Sequence, residues 1–275
     1  AVTVAALWIG RELFVGNWPY GGFPWARIAY TLADTTAARV SSWIGISGLG
    51  FLMVLLVALV VELARAGSRP RALGFVAPVV LGIVLVALPA FPTTANGSMR
   101  IGAVQGNGPT GYFDQREPLS VLNAQTEATA PLYGKGMDLL VWPEGGLDGD
   151  PFQYPELAAG LDEVAARVGA PVLANAATQK GELFYNTSFL WPQGSHPPLA
   201  RDDVQTHAKR HPVPFGEYVP DREFFNAIVP DLIGLIGREY TPGSDAPVVR
   251  VGSTPVGLAI CFDVIYDDLS AERIQ

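Results

Sequence analysis

Three residues stand where an active site could be assembled. Glu144 closes the apolar run LLVWP, Cys261 closes VGLAI, and Lys209 sits in HAKRHPVPFGEYVP, a segment whose three prolines and one glycine hold it to an irregular path. A thiol with a reference pKa near 8.5 is a poor nucleophile until a base or a nearby cation favours the thiolate. A carboxylate can be that base, and an ammonium group can hold the negative charge of a tetrahedral intermediate. Glutamate, lysine and cysteine are therefore a sufficient set for acyl transfer without histidine. Taken singly, each has a plainer reading: Glu144 as a helix N-terminal residue, Lys209 as a solvated cation, Cys261 as a small core hydrophobe.

Other chemistries find less support. His207 and His211 are four apart, a spacing that pairs metal ligands on a helix, but Pro212 and Pro214 argue against a helix there, and His196 reads as loop. With one cysteine there is no internal disulfide and no zinc ribbon. No G-x-S-x-G elbow and no Walker loop is present. Neither a metal nor an organic cofactor is expected.

The elements that would position the three residues are α/β in texture. Strands are expected over 99–105, 138–144, 171–176, 184–191, 247–252 and 255–261. A helical pattern covers 115–134, and a second helix, 155–169, begins at a proline and ends at a glycine. The segment 199–210 leads into the lysine loop. This is a layered α/β domain. Asn96-Gly97-Ser98 and Asn186-Thr187-Ser188 fit a glycosylation triplet, to which no role is assigned.

The first third of the chain is different. Residues 43–61 and 73–91 are each nineteen residues without a charge, close to the roughly 20 apolar residues that cross a hydrocarbon core. Spans are expected near 1–16, 43–63 and 72–91, and Pro78 is tolerable in such a helix. NWPYGGFPWARIAY, rich in Trp and Tyr, suits the membrane interface. Arg65, Arg69 and Arg71 crowd the connection after the second span, so the positive-inside rule puts that loop in the cytoplasm and residues after about 92 outside. The boundary falls in PTTANGS, dividing a transmembrane helical region, 1–92, from a catalytic domain, 93–275.

Charge follows the same division. Residues 1–92 carry six arginines against three acids, a net of +3; the rest carry twelve bases against twenty-three acids, a net of −11. An acidic second part without a basic cluster argues against nucleic-acid binding.

VWPEG, KRHPVPFGEYVP and GLAICFD, in that order, resemble the Glu-Lys-Cys signature of the nitrilase superfamily, and in particular its membrane branch, the apolipoprotein N-acyltransferases. GFPW, residues 22–25, between apolar stretches, strengthens the likeness. The resemblance implies a nitrilase-like αββα sandwich on the outer face of the bacterial plasma membrane, carried by a multi-pass helical bundle. It implies transfer of a fatty acyl chain from a phospholipid to the N-terminal amino group of a diacylglyceryl-cysteine lipoprotein, through a thioester. On that likeness Cys261 is the nucleophile, Glu144 the general base, Lys209 the oxyanion holder, and Glu217 its assistant. Phe262 and Asp263 shape the pocket.

The chain departs from the family in stopping fourteen residues after Cys261, in showing few spans, and in having Phe-Asp after the cysteine where Tyr-Glu is common. The first two departures suggest a fragment. Two rival readings remain: a membrane-anchored amidase using the same triad, and a non-catalytic membrane scaffold. Against the scaffold, the two long apolar stretches carry no charge of the kind that marks a transport path.

Overall fold

A computed structural model describes residues 1–66, 72–109, 117–194, 199–266 and 269. Arg69, Arg71 and His196 lie outside the described residues. The chain forms two compact units, Ala1–Asn96 and Gly97–Gln275.

In the first unit, α1 covers Val2–Asn17 and α2 covers Ser41–Arg65; α3 covers Val76–Ala87. The α2 segment, counted with the turn before it as Thr36–Arg65, is the one helix among the described residues long and apolar enough to cross a membrane. The helix expected over 72–91 is shorter than anticipated. Its twelve residues rise only about 18 Å, well short of a hydrocarbon core. Pro89 and Pro92 cannot donate to a continuing helix, and Leu88 is already extended (ψ 122°). Ala29, Val40, Leu49 and Leu85 form the buried centre of this unit. α1 also holds a buried acid. Glu12 is buried, and its Oε1 accepts from Trp8 Nε1 and from the Ile28 backbone N–H, both at 2.8 Å.

The second unit is the α/β domain. In chain order it comprises β1 (Ile101–Ala103), α4 (Ser120–Thr129), β2 (Leu139–Val141), α5 (Pro155–Val168), β3 (Val172–Lys180), β4 (Leu183–Trp191) and β5 (Gln205–Ala208). After these come α6 (Arg222–Ile228), α7 (Pro230–Ile233), β6 (Val248–Val251) and β7 (Thr254–Gly257). The first five strands form one sheet in sequential order, parallel from β1 to β3 and antiparallel from β3 to β5; β6 and β7 form a separate antiparallel pair.

Side-chain alternation along these strands sets the layers. Val172, Ala174 and Ala176 of β3 and Phe189 and Trp191 of β4 face one way, into a core closed by Leu157, Leu161, Val164 and Val168 of α5. Leu173 and Leu190, one position out of phase, join Leu139 on the other face, where Val249 and Leu258 cover them. The arrangement is helix, sheet, sheet. α5 shows the expected punctuation, with Pro155 in its first turn and Gly169 in the left-handed conformation (φ 76°) at its end. α6 and α7, eleven helical residues in all, were not anticipated: at seven and four residues they are too short to show a helical period.

Candidate active site

Each candidate residue leaves an element that fixes its direction. Trp142, buried, anchors the exit of β2 by donating from Nε1 to Thr129 Oγ1 at 3.1 Å. The chain then turns at Gly145 (φ 63°), whose N–H donates to Asn175 Oδ1 at 2.8 Å, and Glu144 sits on that turn.

Lys209 follows β5. Its backbone N–H donates to Asn186 O and its carbonyl accepts from Gly243 N–H, both at 2.8 Å. The approach at Gly243 is so close that a Cβ there would lie 2.1 Å from Ala208 O, so only glycine fits. Glu217 lies in a tight loop that its own carboxylate closes, Oε2 accepting from Val213 N–H at 2.7 Å.

Cys261 does not end a strand, as the apolar run suggested. β7 stops at Gly257, and Cys261 begins a 3-10 turn, Cys261–Ile265, with φ 48°. A left-handed φ at a non-glycine residue is costly and signals a constrained position.

The structure brings these side chains together. Lys209 Nζ is 2.8 Å from Glu217 Oε2 and 3.2 Å from Glu144 Oε1, and its side chain is 2% exposed. The Cys261 thiol lies within electrostatic reach of Glu144, Lys209 and Glu217. Burial alone would lower the lysine pKa, but the Glu217 hydrogen bond and the negative charges of Glu144 and Glu217 outweigh it and raise it. The ammonium is thus held charged in a buried place. Partial burial and the adjacent Glu144 carboxylate push the Cys261 thiol up, against the opposing pull of Lys209. The resting sulfur is a thiol beside a carboxylate.

Two residues that the sequence left without a role complete the cluster. Asn186 Nδ2 donates to Glu144 Oε1 at 2.6 Å and lies 3.0 Å from Glu217 Oε1, while its Oδ1 accepts from Asn175 Nδ2 at 2.9 Å. One amide thus orients both carboxylates, and a second amide orients the first. The available signal was the placement of asparagine at buried positions of two apolar strands, where an amide needs partners.

Phe262 and Asp263 are both buried next to the cysteine. The Phe262 ring packs edge-on to Tyr266, centroids 5.5 Å apart. Asp263 accepts from the backbone N–H groups of His211 (2.8 Å) and Arg210 (3.2 Å), and its Oδ1 is 3.2 Å from His211 Nδ1. It therefore ties the segment after Lys209 to the turn bearing Cys261. The two spaced histidines go to different acids, His207 to Asp245 at 3.3 Å and His211 to Asp263. A cavity of about 840 Å³ opens beside the cluster, with Glu144, Asn175, Asn186 and Glu217 in its wall.

A carboxylate beside a thiol, with a buried ammonium held by a second carboxylate, fits an enzyme of the carbon–nitrogen hydrolase type. Residues 100–272 match the family model described as carbon-nitrogen hydrolase, and the chain belongs to that family. Residues 1–59 match the model described as the apolipoprotein N-acyltransferase N-terminal domain. The chain is similar along nearly its whole length to proteins named apolipoprotein N-acyltransferase. Identity is 29% to that of Azotobacter vinelandii (98% of this chain, 52% of that protein). It is 28% to that of Methylococcus capsulatus (95% and 51%) and 30% to that of Geobacter metallireducens (100% and 54%). The chain spans about half the length of these curated relatives.

Proposed function

We propose that this chain contains the catalytic site of an apolipoprotein N-acyltransferase, with residues 93–275 as the catalytic domain and 1–92 as part of its membrane region. The observation that carries the reading is the Glu144 carboxylate, which pairs with the Lys209 ammonium and the Asn186 amide and lies within electrostatic reach of the Cys261 thiol.

The chemistry runs in two halves. Glu144 takes the thiol proton as the sulfur attacks the ester carbonyl of a phospholipid, and Lys209 holds the charge that forms on the carbonyl oxygen. Collapse breaks the ester C–O bond, and the departing glycerol oxygen takes the proton from Glu144. A lysophospholipid leaves and the acyl group stays on Cys261 as a thioester. The N-terminal amine of a diacylglyceryl-cysteine lipoprotein then attacks the thioester and gives a proton to Glu144. The C–S bond breaks, and the sulfur regains its proton. Glu217 keeps Lys209 charged and placed throughout; Phe262 and Asp263 set the backbone turn at the nucleophile.

The membrane assignment is supported by the apolar helix within Thr36–Arg65 and by the match over residues 1–59. The arginine-rich connection after α2 supports a multi-pass arrangement in the bacterial plasma membrane with the catalytic domain outside. Mass spectrometry of the full-length protein mixed with phospholipid tests the reading. A fatty-acyl mass should appear on the peptide containing Cys261 and disappear when a lipopeptide amine is added. An unmodified Cys261, with small amides hydrolysed instead, would replace the transferase by the amidase.

A further inference from the structure

The cavity beside the cluster has more in its wall than carboxylates. Phe184, Leu235, Gly237, Arg238 and Tyr240 also line it. Phe184 lies two positions before Asn186 on β4 and so projects from the same face of the sheet. The Arg238 guanidinium carbon sits 5.5 Å from the centre of the Phe184 ring and 5.3 Å from that of Tyr240. The backbone carrying each ring is pinned. Thr241 N–H donates to Phe184 O at 2.7 Å, and Tyr240 N–H donates to Glu217 O at 2.8 Å.

Arg238 is the one basic residue in the described wall of the cavity, and among the described residues no carboxylate lies within ion-pair distance of it. Its neighbour Glu239 is taken by Arg222 at 2.9 Å. The acids of the same wall are largely committed. Asp148 accepts the N–H groups of Val121 and Leu122, Asp150 pairs with Arg201 at 2.7 Å, and Glu217 pairs with Lys209. An arginine lying against two aromatic rings keeps its N–H edge free for a planar pair of acceptor oxygens. That is a seat for a phosphoryl or similar oxyanion. Leu235, half exposed in the same wall, favours a ligand with apolar carbon beside the anion over a free ion.

We infer that Arg238, seated on Phe184 and Tyr240, binds the phosphodiester of a glycerophospholipid in the cavity that holds Glu144. The inference rests on the acyltransferase reading and deepens it. In such a donor the phosphate is one glycerol unit from the ester, so anchoring it at Arg238 directs the ester carbonyl towards Glu144 and Cys261.

The test uses the full-length protein and ether-linked lipids, which cannot acylate it. Dialkyl glycerophosphoethanolamine and dialkylglycerol, presented in the same detergent micelles, are compared as protectants of Cys261 against maleimide labelling. The phosphate-bearing lipid should protect at a lower concentration than dialkylglycerol. This preference should fall about tenfold or more in Arg238→Gln, the scale of a lost charge-assisted pair, and part of it should survive in Arg238→Lys.

An unchanged preference in Arg238→Gln overturns the inference, even if Cys261 still becomes acylated by ester phospholipid. The converse result separates the two claims: an Arg238-dependent preference without acylation of Cys261 would leave the anion subsite standing and remove the acyltransferase. Inorganic phosphate and water-soluble glycerophosphoethanolamine should not protect at matched concentration. Protection equal to that of the lipid would overturn the lipid assignment in favour of a soluble phosphate ester.

Discussion

Asp263→Asn isolates the joint between the lysine segment and the nucleophile turn. Asp263 is fully buried, and its oxygens receive the His211 backbone N–H at 2.8 Å, the Arg210 backbone N–H at 3.2 Å, and His211 Nδ1 at 3.2 Å. Hydrogen bonds to a charged acceptor contribute about 1.5–3 kcal/mol each. Asparagine keeps one acceptor oxygen for His211 but turns an NH₂ group towards the Arg210 N–H, so one bond becomes a donor–donor contact and the others lose their charge. The expected destabilisation is about 2–4 kcal/mol.

Burial alone would raise the Asp263 pKa; the His211 and backbone N–H donors outweigh it and hold the carboxyl below its ordinary 3.8. A depressed carboxylate contributes stability that is fully present above the unfolded-state pKa and is lost as pH falls through the native value. The carboxylate's share of the gap in thermal stability between wild type and Asp263→Asn should therefore be present at neutral pH and begin to close only below about pH 4. Thermal unfolding of the detergent-solubilised full-length protein measures the gap. The rate of Cys261 acylation, followed in parallel, should fall at least tenfold, because the turn presenting the sulfur loses its tie to Lys209. Equal melting temperatures at pH 7 together with an unchanged acylation rate would refute the assignment of Asp263 as the joint.

Glu144→Gln should slow single-turnover acylation of Cys261 by about a hundredfold or more, with the cysteine still alkylated by iodoacetamide; a loss under fivefold would remove Glu144 as the base. Lys209→Met should cost about 10²–10³ in acyl-transfer rate, read in the same assay. Because the Lys209 pKa is raised above 10.5, the stability its charge contributes should be fully present below that value and be lost only at higher pH, as an alkaline melting series would show. The Cys261 pKa is raised above 9.0, so its alkylation rate should keep climbing past pH 9 rather than level off near neutrality. Gly243→Ala should reduce folded yield, since the added carbon meets the Ala208 carbonyl at 2.1 Å; normal expression and melting would contradict that.

Glu144 and Cys261 stood out because each closes an apolar run, and an α/β layer delivers side chains where such runs end. The amide bridge did not. Asn186 reaches Glu144 only because β3 and β4 pair with Ala177 opposite Asn186 and Asn175 opposite Ser188, a register that no local pattern encodes. As part of an Asn-Thr-Ser triplet Asn186 was given no role, and it is buried in the cluster. The lysine loop, by contrast, announced itself through its prolines, although its closure by the Glu217 carboxylate onto Val213 did not. In the first unit the apolar stretch 43–61 lies within α2, whereas α3 ends at Ala87 because apolarity continues through Pro89 while helical hydrogen bonding does not. The pairing of Asp263 with the residues after Lys209 spans more than fifty positions and was beyond any reading by spacing.

The charges of the cluster explain why a raised thiol pKa serves this site. With Lys209 positive and Glu144 and Glu217 negative, the group carries a net charge of −1 around a neutral thiol. A resting thiolate would make it −2 in a partly desolvated place, and the single ammonium, already shared by two carboxylates at 2.8 and 3.2 Å, could not offset that. Sulfur therefore keeps its proton until a carbonyl arrives. In the proposed mechanism, as the S–C bond forms, the thiol proton passes to Glu144 and the negative charge moves onto the carbonyl oxygen. Neutralising Glu144 also frees Lys209 from one of its two partners, so the ammonium can turn towards the new oxyanion when it is needed. Asn186 makes the exchange reversible: its Nδ2 stays bonded to Glu144 Oε1, holding the carboxyl in place while its proton comes and goes. A cysteine with a low pKa would be alkylated or oxidised quickly in the absence of substrate; one whose pKa is raised reacts more slowly at neutral pH.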